Sequence, residues 1–390
     1  MQNIDELLTR GVANIIPGKE ELKKLLESGK KLNVYLGIDP TATHIHLGHA
    51  VPLRKLQQFA DLGHNVTFLI GDFTALIGDA SDKDSERPVL TKEQIETNFQ
   101  TYKKQAGKIL DFTKVNIRYN SEWLSKVSLE DTIKLSQNFS FGDFASRELV
   151  AKRLKDGKHV GFHEALYPIL QGYDSYFMDT DIQVGGTDQT FNMQAGRTLQ
   201  KNLRKKESFV LANLFLEGTD GRKMSKTWGN AIWLDDTPND TYAKAMAIND
   251  DLIAQYLTLA TSLSLNEISK FESEFKKGEN PINIKKKLAH QIVEELHDKK
   301  SADQAQENFQ KIVQNKEIPS EIPTFTPSRG ATAAETISEW GNISISEVKR
   351  LTNQGGIEIN GQTIGSNQLN QAPTPGTIIK VGKKTPFEVK

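Results

Sequence analysis

Two histidines three residues apart, His46 and His49, are the residues of this chain best spaced to act together. They close the run Asp39-Pro40-Thr41-Ala42-Thr43-His44-Ile45-His46-Leu47-Gly48-His49. An apolar run at 34–37 reads as a strand before it, and the apolar spacing of residues 50–62 is helical after it. The run is therefore a strand-to-helix turn with both histidines in the first helical turn. Side chains three apart share a helix face, so the imidazoles point the same way. Backbone N–H groups are unpaired there and the helix dipole is positive, which suits phosphate. Gly48 lets a flat ligand approach the backbone.

Two further groupings carry chemistry. Tyr167, Gln171 and Asp174 fall at i, i+4 and i+7 of a helix expected over 163–178, flanked by Leu166, Ile169, Leu170 and Phe177. Three polar groups on one stripe of an apolar helix describe a lined pocket, whereas a solvent face more often carries Lys and Glu. Lys223-Met224-Ser225-Lys226-Thr227 lies among Gly218, Gly221 and Gly229 and reads as a mobile loop with two cations.

The elements that must position these groups alternate in type. Strands are expected at 34–37, 66–70, 115–119 and 181–184, the last ended by Gly185-Gly186. Helices are expected at 3–8, 19–28, 92–110, 129–138, 145–154, 163–178 and 187–203, with Thr187 as N-cap of the last. Strands alternating with helices imply an α/β fold, a Rossmann-like parallel sheet with ligands at the strand carboxyl ends. Residues 238–314 are almost wholly helical in pattern, with Leu257, Leu259, Leu263, Phe271, Phe275, Ile282, Leu288, Ile292 and Leu296 as candidate core. A proline-rich stretch at 318–327 reads as a linker, and residues 332–390 as a small α+β unit. The expected domains are thus 1–230, 231–320 and 331–390.

Composition narrows the chemistry. The 390 residues carry 49 Lys and Arg against 50 Asp and Glu, so any nucleic-acid contact must come from local patches. With no cysteine, disulfides, thiol catalysis and cysteine metal sites are excluded. No apolar run reaches membrane-spanning length and the polar start is not a signal peptide, so a soluble, cytoplasmic protein is expected.

The His46-Leu47-Gly48-His49 run resembles the first motif of the class I aminoacyl-tRNA synthetases, and Lys223–Thr227 resembles their mobile lysine loop. Together with Tyr35, the Thr74 to Asp79 turn, the Tyr167/Gln171/Asp174 face and Gln183-Val184-Gly185-Gly186-Thr187-Asp188-Gln189, these motifs stand in the order of the bacterial tyrosyl-tRNA synthetases. Residues 332–390 resemble the RNA-binding module first known from ribosomal protein S four. In that module the helix bearing Arg350 and the following turn face RNA. This resemblance implies a tyrosine–tRNA ligase that forms tyrosyl-adenylate from tyrosine and ATP and then charges tRNA. It implies Tyr35 and Asp174 at the phenol hydroxyl, and Asp79, Tyr167 and Gln171, with Thr74, around the ammonium. Gln189 would touch the carboxyl side. Asp39, Gly186 and Asp188 would face the ribose and its neighbourhood, with Gly48 and Lys226 also on the ATP side. Thr41, His46 and His49 would serve the phosphates, and Lys223 and Lys226 would clamp pyrophosphate. Magnesium would arrive with ATP, with no protein-bound metal. A helical anticodon-binding domain and a homodimer are also implied, with Phe139, Phe141 and Phe144 as a candidate interface. Because the attacking carboxylate is already ionised, positioning and charge stabilisation suffice. The rivals are a tryptophan-specific enzyme of the same subclass and a non-catalytic RNA-binding protein. A hydroxyl suits the Tyr35/Asp174 pair better than an indole donor, and the intact histidines and lysines argue for catalysis.

Overall fold

The β-branched and apolar runs of the first half assemble into one sheet. The computed structural model describes residues 4–79, 90–225, 227–311, 323–382 and 386–390. Lys226, residues 318–322 of the proline-rich stretch, and Lys383 and Lys384 lie outside them. Contacts divide the chain into two units, Met1–Gln306 and Glu307–Lys390.

In the first unit the elements run α1 (Ile4–Leu7), β1 (Val12–Ile16), α2 (Lys19–Glu27), β2 (Asn33–Ile38), α3 (Leu47–Asp61), β3 (Asn65–Ile70), α4 (Lys92–Ala106) and β4 (Val115–Tyr119). Then follow α5 (Ser121–Leu124), α6 (Leu129–Ser136), α7 (Phe141–Ala145), α8 (Glu148–Lys155), α9 (Phe162–Phe177), β5 (Ile182–Gly186), α10 (Thr190–Arg204) and β6 (Phe209–Asn213). The strand order is β1-β6-β5-β2-β3-β4, with β1 antiparallel to β6 and the other pairings parallel. Val34 sits between Val66 and Ile182, all three buried. Central strands covered on both faces are largely apolar, so β2 and β3 show no clean alternation, whereas the edge strand β4 alternates in sequence.

The chain leaves β2 toward β3 and β4, then crosses back to lay β5 and β6 on the other side of β2. The β2/β5 boundary is thus the point where crossovers part, and such a point opens a crevice beyond the strand ends.

Several elements differ from expectation. Strands β1 and β6 were not anticipated; β6 is a five-residue buried apolar run, too short for periodicity to identify. The helix expected over 145–154 is two helices parted at Ser146 and Arg147. Thr187 does not cap α10: residues Thr187–Gln189 form a 3-10 turn, and Gln189 takes the cap position.

Helices α9 and α10 cross closely because small residues meet there. A Cβ on Gly196 would fall 2.7 Å from Ser175 Cβ and 2.6 Å from Gln183 Oε1.

Beyond the loop at 214–237 the chain is helical: α11 (Pro238–Met246), α12 (Ile253–Ala260), α13 (Leu265–Lys276), α14 (Pro281–Leu296) and α15 (Lys299–Phe309), whose last three residues fall in the second unit. Helices α11 and α12 pack on α14, and α12 also reaches α3. Leu257, Leu259, Leu288, Ile292 and Leu296 are buried as expected. Phe275 is exposed and Phe271 only half-buried, because α13 keeps little more than Ile268 in the core; Leu263 before it is half-buried, and Ile282 at the start of α14 is exposed. Among the described residues no helix is long and apolar enough to cross a membrane.

The second unit holds β7 (Thr324–Phe325), α16 (Ala333–Gly341), α17 (Ile345–Asn353), β8 (Ile357–Ile359), β9 (Gln362–Thr363), β10 (Ile378–Val381) and β11 (Phe387–Val389). Its sheet order is β7-β11-β10-β8-β9 around Ile337, Val348, Ile357, Ile379 and Phe387. Thr324 and Phe325 pair with Glu388 and Val389, so the end of the expected linker belongs to this sheet. Phe325 packs edge-on against Trp340 and Phe387, which explains why a proline-flanked segment is held there.

Gly196→Ala should lower unfolding stability by about 1–3 kcal/mol, since the new methyl overpacks the α9/α10 crossing. Urea unfolding of the variant checks this.

Candidate active site

The loops beyond the strand carboxyl ends surround a cavity of about 540 Å3. Tyr35, Asp39, Thr41, His46, Gly48 and His49 enter it from β2, the loop after it and the start of α3. Thr74 and Asp79 come from the turn after β3, and Tyr167, Gln171 and Asp174 from α9. Gly186, Asp188 and Gln189 come from the end of β5, and Lys223 from the loop after β6. Every candidate residue within the described part of the chain therefore lines one space; Lys226 lies outside that part.

At the inner end, Asp174 is 2% exposed, its Oδ1 accepting from Trp123 Nε1 at 2.7 Å and its Oδ2 from Asn120 Nδ2 at 3.1 Å. Burial pushes its carboxyl up to about 8, against the pull of these two donors. Burial, and the Asp174 charge after it, hold the Tyr35 phenol well above its ordinary range, so that hydroxyl stays protonated. It donates to Gln183 Oε1 at 3.1 Å, and Gln183 Nε2 donates to Met193 O at 2.9 Å.

Asn120 also donates to Thr74 Oγ1 at 2.9 Å, Thr74 donates to Asp39 Oδ1 at 2.8 Å, and Tyr167 donates to Asp39 Oδ2 at 2.9 Å. One chain of hydrogen bonds thus runs from Asp174 to Tyr167. Opposite it, Asp79 Oδ2 accepts from Gln189 Nε2 at 2.7 Å and from Asn192 Nδ2 at 3.4 Å.

At the outer end His46 is the N-cap residue of α3 and His49 stands in its first turn. Their rings stack 3.9 Å apart, and the His46 N–H donates to His49 Nδ1 at 3.4 Å. Burial, then the nearby His49 and Lys223, depress His46 to about 2, so its ring is neutral. Its buried Nδ1 has no hydrogen-bond partner among the described residues. A Cβ on Gly48 would lie 2.9 Å from that ring, so this glycine makes room for His46 as well as for a ligand.

The lysine loop is anchored by a residue outside the motif. Asn230 accepts from Ser225 N at 2.9 Å and donates to Lys223 O at 3.1 Å and Asp220 Oδ1 at 2.7 Å. Just beyond it, Ile232 O accepts from Leu47 N at 2.9 Å, and Trp233 forms a β-bridge with His46. The two motifs are therefore joined through the backbone.

Asn120, Trp123, Gln183, Asn192 and Asn230 were not assigned roles from sequence. Asn120 directly follows the expected strand 115–119, so the strand-end rule could have found it, with Trp123 three residues on. Gln183 lies inside a quoted motif. Nothing local marks Asn192 or Asn230.

Residues 27–314 match the family of class I tRNA synthetases (W and Y), and the chain belongs to that family. A tyrosine–tRNA ligase of Thermotoga maritima is 40% identical over 98% of this chain and 96% of its own length. One of Carboxydothermus hydrogenoformans is 43% identical over 97% and 95%. A C-terminally truncated mitochondrial tyrosyl-tRNA synthetase of Aspergillus nidulans superposes with a TM-score of 0.68 at 24% identity, over 80% of this chain and 94% of that one. At that identity the likeness concerns the fold alone.

Asp174 holds a proton in the folded state between its ordinary 3.8 and about 8. Proton uptake on folding means stability falls as pH rises through that window and levels off above it. Asp174→Asn should remove this contribution. Thermal melts at pH 5, 6.5 and 8 should show wild type losing more melting temperature than the variant.

Proposed function

We infer that this chain is a tyrosine–tRNA ligase, which joins L-tyrosine to ATP as tyrosyl-adenylate and passes tyrosine to the 3′ end of tRNA(Tyr). The observation that carries this is the single cavity with two unlike ends. A buried end offers Tyr35 and Asp174, and an outer end offers Thr41, His46, His49 and Lys223. Membership of the class I family and bacterial tyrosine–tRNA ligases at about 40% identity over nearly the whole chain agree.

The substrate phenol hydroxyl would sit between Tyr35 and Asp174, each of which can hydrogen-bond it. Phenylalanine would leave those buried groups without a partner, which costs binding. The ammonium would lie among Asp79, Tyr167, Gln171 and Thr74, where a carboxylate and neutral acceptors suit it. Gln189 would face the carboxyl group, and Asp39, Gly48, Gly186 and Asp188 the ribose side. The substrate carboxylate attacks the α-phosphorus, the new C–O–P linkage forms, and the bond to the leaving pyrophosphate breaks. No proton need be removed, so the protein supplies alignment and donors to the growing charge. Neutral His46 can donate a hydrogen bond without burying a cation. Thr41 and His49 act beside it, and Lys223 and Lys226 neutralise pyrophosphate. Magnesium enters with ATP as counter-ion to its phosphates.

In this assignment residues 231–320 read the anticodon arm and residues 331–390 bind RNA, with Lys349, Arg350 and Lys380 as described cations. Such an enzyme works in the cytoplasm. It is proposed to act as a homodimer. Of the three phenylalanines at 139–144, only Phe141 is exposed; Phe144 is buried and Phe139 is half-buried against the cluster of Leu135, Ile169 and Leu199. Support for a dimer comes instead from the exposed apolar side chains Leu129, Ile133, Phe141 and Phe162, 55–76% exposed, on α6, α7 and the start of α9.

Pyrophosphate exchange should proceed with tyrosine and not with tryptophan; exchange driven by tryptophan would reassign the enzyme. His46→Ala should slow adenylate formation by about 10²-fold while leaving tyrosine affinity nearly unchanged. Single-turnover rates set beside equilibrium tyrosine binding test that division.

A chain ending at residue 311 should retain exchange activity and charge tRNA poorly, with a flatter salt dependence of tRNA binding. The cut precedes Thr324 and Phe325 because these pair within the C-terminal sheet. Exchange, aminoacylation and tRNA affinity at two salt concentrations read this out.

A further inference from the structure

The turn between β2 and α3 carries Thr41 and His46, yet its backbone is not paired within the sheet. What holds it is a polar stripe on α4. Asn98, Thr101 and Gln105 lie at i, i+3 and i+7 and so share one face of that helix. Asn98 Nδ2 donates to Pro40 O at 2.8 Å, and the single Thr101 hydroxyl proton is shared between Thr43 O at 2.7 Å and Asn98 O of its own helix at 2.6 Å. Gln105 uses both ends of its amide: Oε1 accepts from Ile45 N at 2.7 Å, and Nε2 donates to Thr43 O at 2.8 Å. A weaker bond returns from Nε2 to Thr101 O of its own helix at 3.1 Å.

We propose that Gln105, assisted by Thr101 and Asn98, is a positioning residue for adenylation: its amide clamps the Thr43–Ile45 backbone and thereby sets Thr41 and His46 against the phosphates. Gln105 is 4% exposed and Asn98 9% exposed, so neither is a solvent-facing group that happens to touch the turn. A primary amide presents an acceptor and a donor side by side and carries no charge at any working pH. Burying a glutamine there is favourable because every polar atom it brings is matched, together with backbone groups that would otherwise be unpaired. The opposite side of the turn is held by the segment after the lysine loop, where Leu234 N donates to Ile45 O at 2.8 Å. Ile45 is thus gripped by Gln105 through its N–H and by Leu234 through its carbonyl, and the next residue is His46. The clamp reaches none of the groups at the buried end: Tyr35, Asp174 and Gln183 have other partners. Loosening it should therefore affect the phosphate step and spare amino-acid binding. This inference rests on the ligase function proposed above.

The test uses the full chain with Gln105→Leu, which keeps side-chain bulk and removes both hydrogen bonds. Single-turnover adenylate formation should slow by about 10- to 10²-fold, as expected when reacting groups are slightly misplaced. Tyrosine affinity should stay within about two-fold, with a cooperative melt. In a His46→Ala background the same substitution should cost less than in wild type, because part of its effect passes through His46. Thr101→Val, nearly isosteric, should show the same division with a smaller factor, and it decides the matter if Gln105→Leu does not fold. An unchanged rate, equal losses in rate and tyrosine affinity, or fully multiplicative losses with His46→Ala would overturn the clamp. If wild type itself forms no tyrosyl-adenylate, the functional assignment falls and the clamp with it. An active wild type with unaffected variants removes the clamp alone.

Discussion

The structure depends on a constraint at the centre of its sheet. Strands β2 and β5 lie side by side, but the chain leaves them toward opposite edges. Strands buried on both faces carry a polar group along their length only where it is paired, as Tyr35 of β2 is with Gln183 of β5. The other polar site residues lie at the strand ends, where the parting of crossovers leaves space for a ligand. Asp39 follows β2, Asn120 follows β4 and Asp188 follows β5. Helix α9 reaches the same space only because the glycines at its crossing with α10 allow close approach.

That arrangement sorts charge along the cavity. Asp39, Asp79 and Asp174 line it with the tyrosines, while His49 and Lys223 line it with the histidine turn. Two features limit the electrostatic cost. Asp174 is pushed toward its neutral form by burial, and His46 is pushed toward its neutral form by burial and by neighbouring basic groups. The remaining carboxylates are held by donors, Asp39 by Thr74 and Tyr167 and Asp79 by Gln189 and Asn192. The gradient is thus built from a few matched charges.

Much of this was legible in the sequence because it depends on local spacing. The His46/His49 pair, the Tyr167/Gln171/Asp174 stripe and the strands at 34–37, 66–70 and 115–119 follow from helical and extended periodicities. What escaped was set by tertiary partners. Strand β6 has no period of its own, and β1 is defined only by its antiparallel pairing with it. Asn230 matters because the lysine loop folds back onto it, and Gln183 because Tyr35 reaches across from the neighbouring strand. The exposure of Phe275 and Ile282 shows the converse failure, an apolar pattern with no partner in the described core. Local spacing records which face a residue occupies; it does not record what arrives opposite.

The hydrogen-bond chain from Asp174 through Asn120, Thr74 and Asp39 to Tyr167 has a further consequence. Asn120 Nδ2 donates both to Asp174 and to Thr74, so a ligand that draws Asp174 toward itself changes what remains for Thr74. Thr74 and Tyr167 in turn hold the two oxygens of Asp39, one each. Linked donors polarise one another, and their energies are not a sum of pairs. The buried end of the cavity and the groups proposed to surround the ammonium therefore respond together. Selectivity for the amino acid is then a collective property of these five side chains rather than of any one contact.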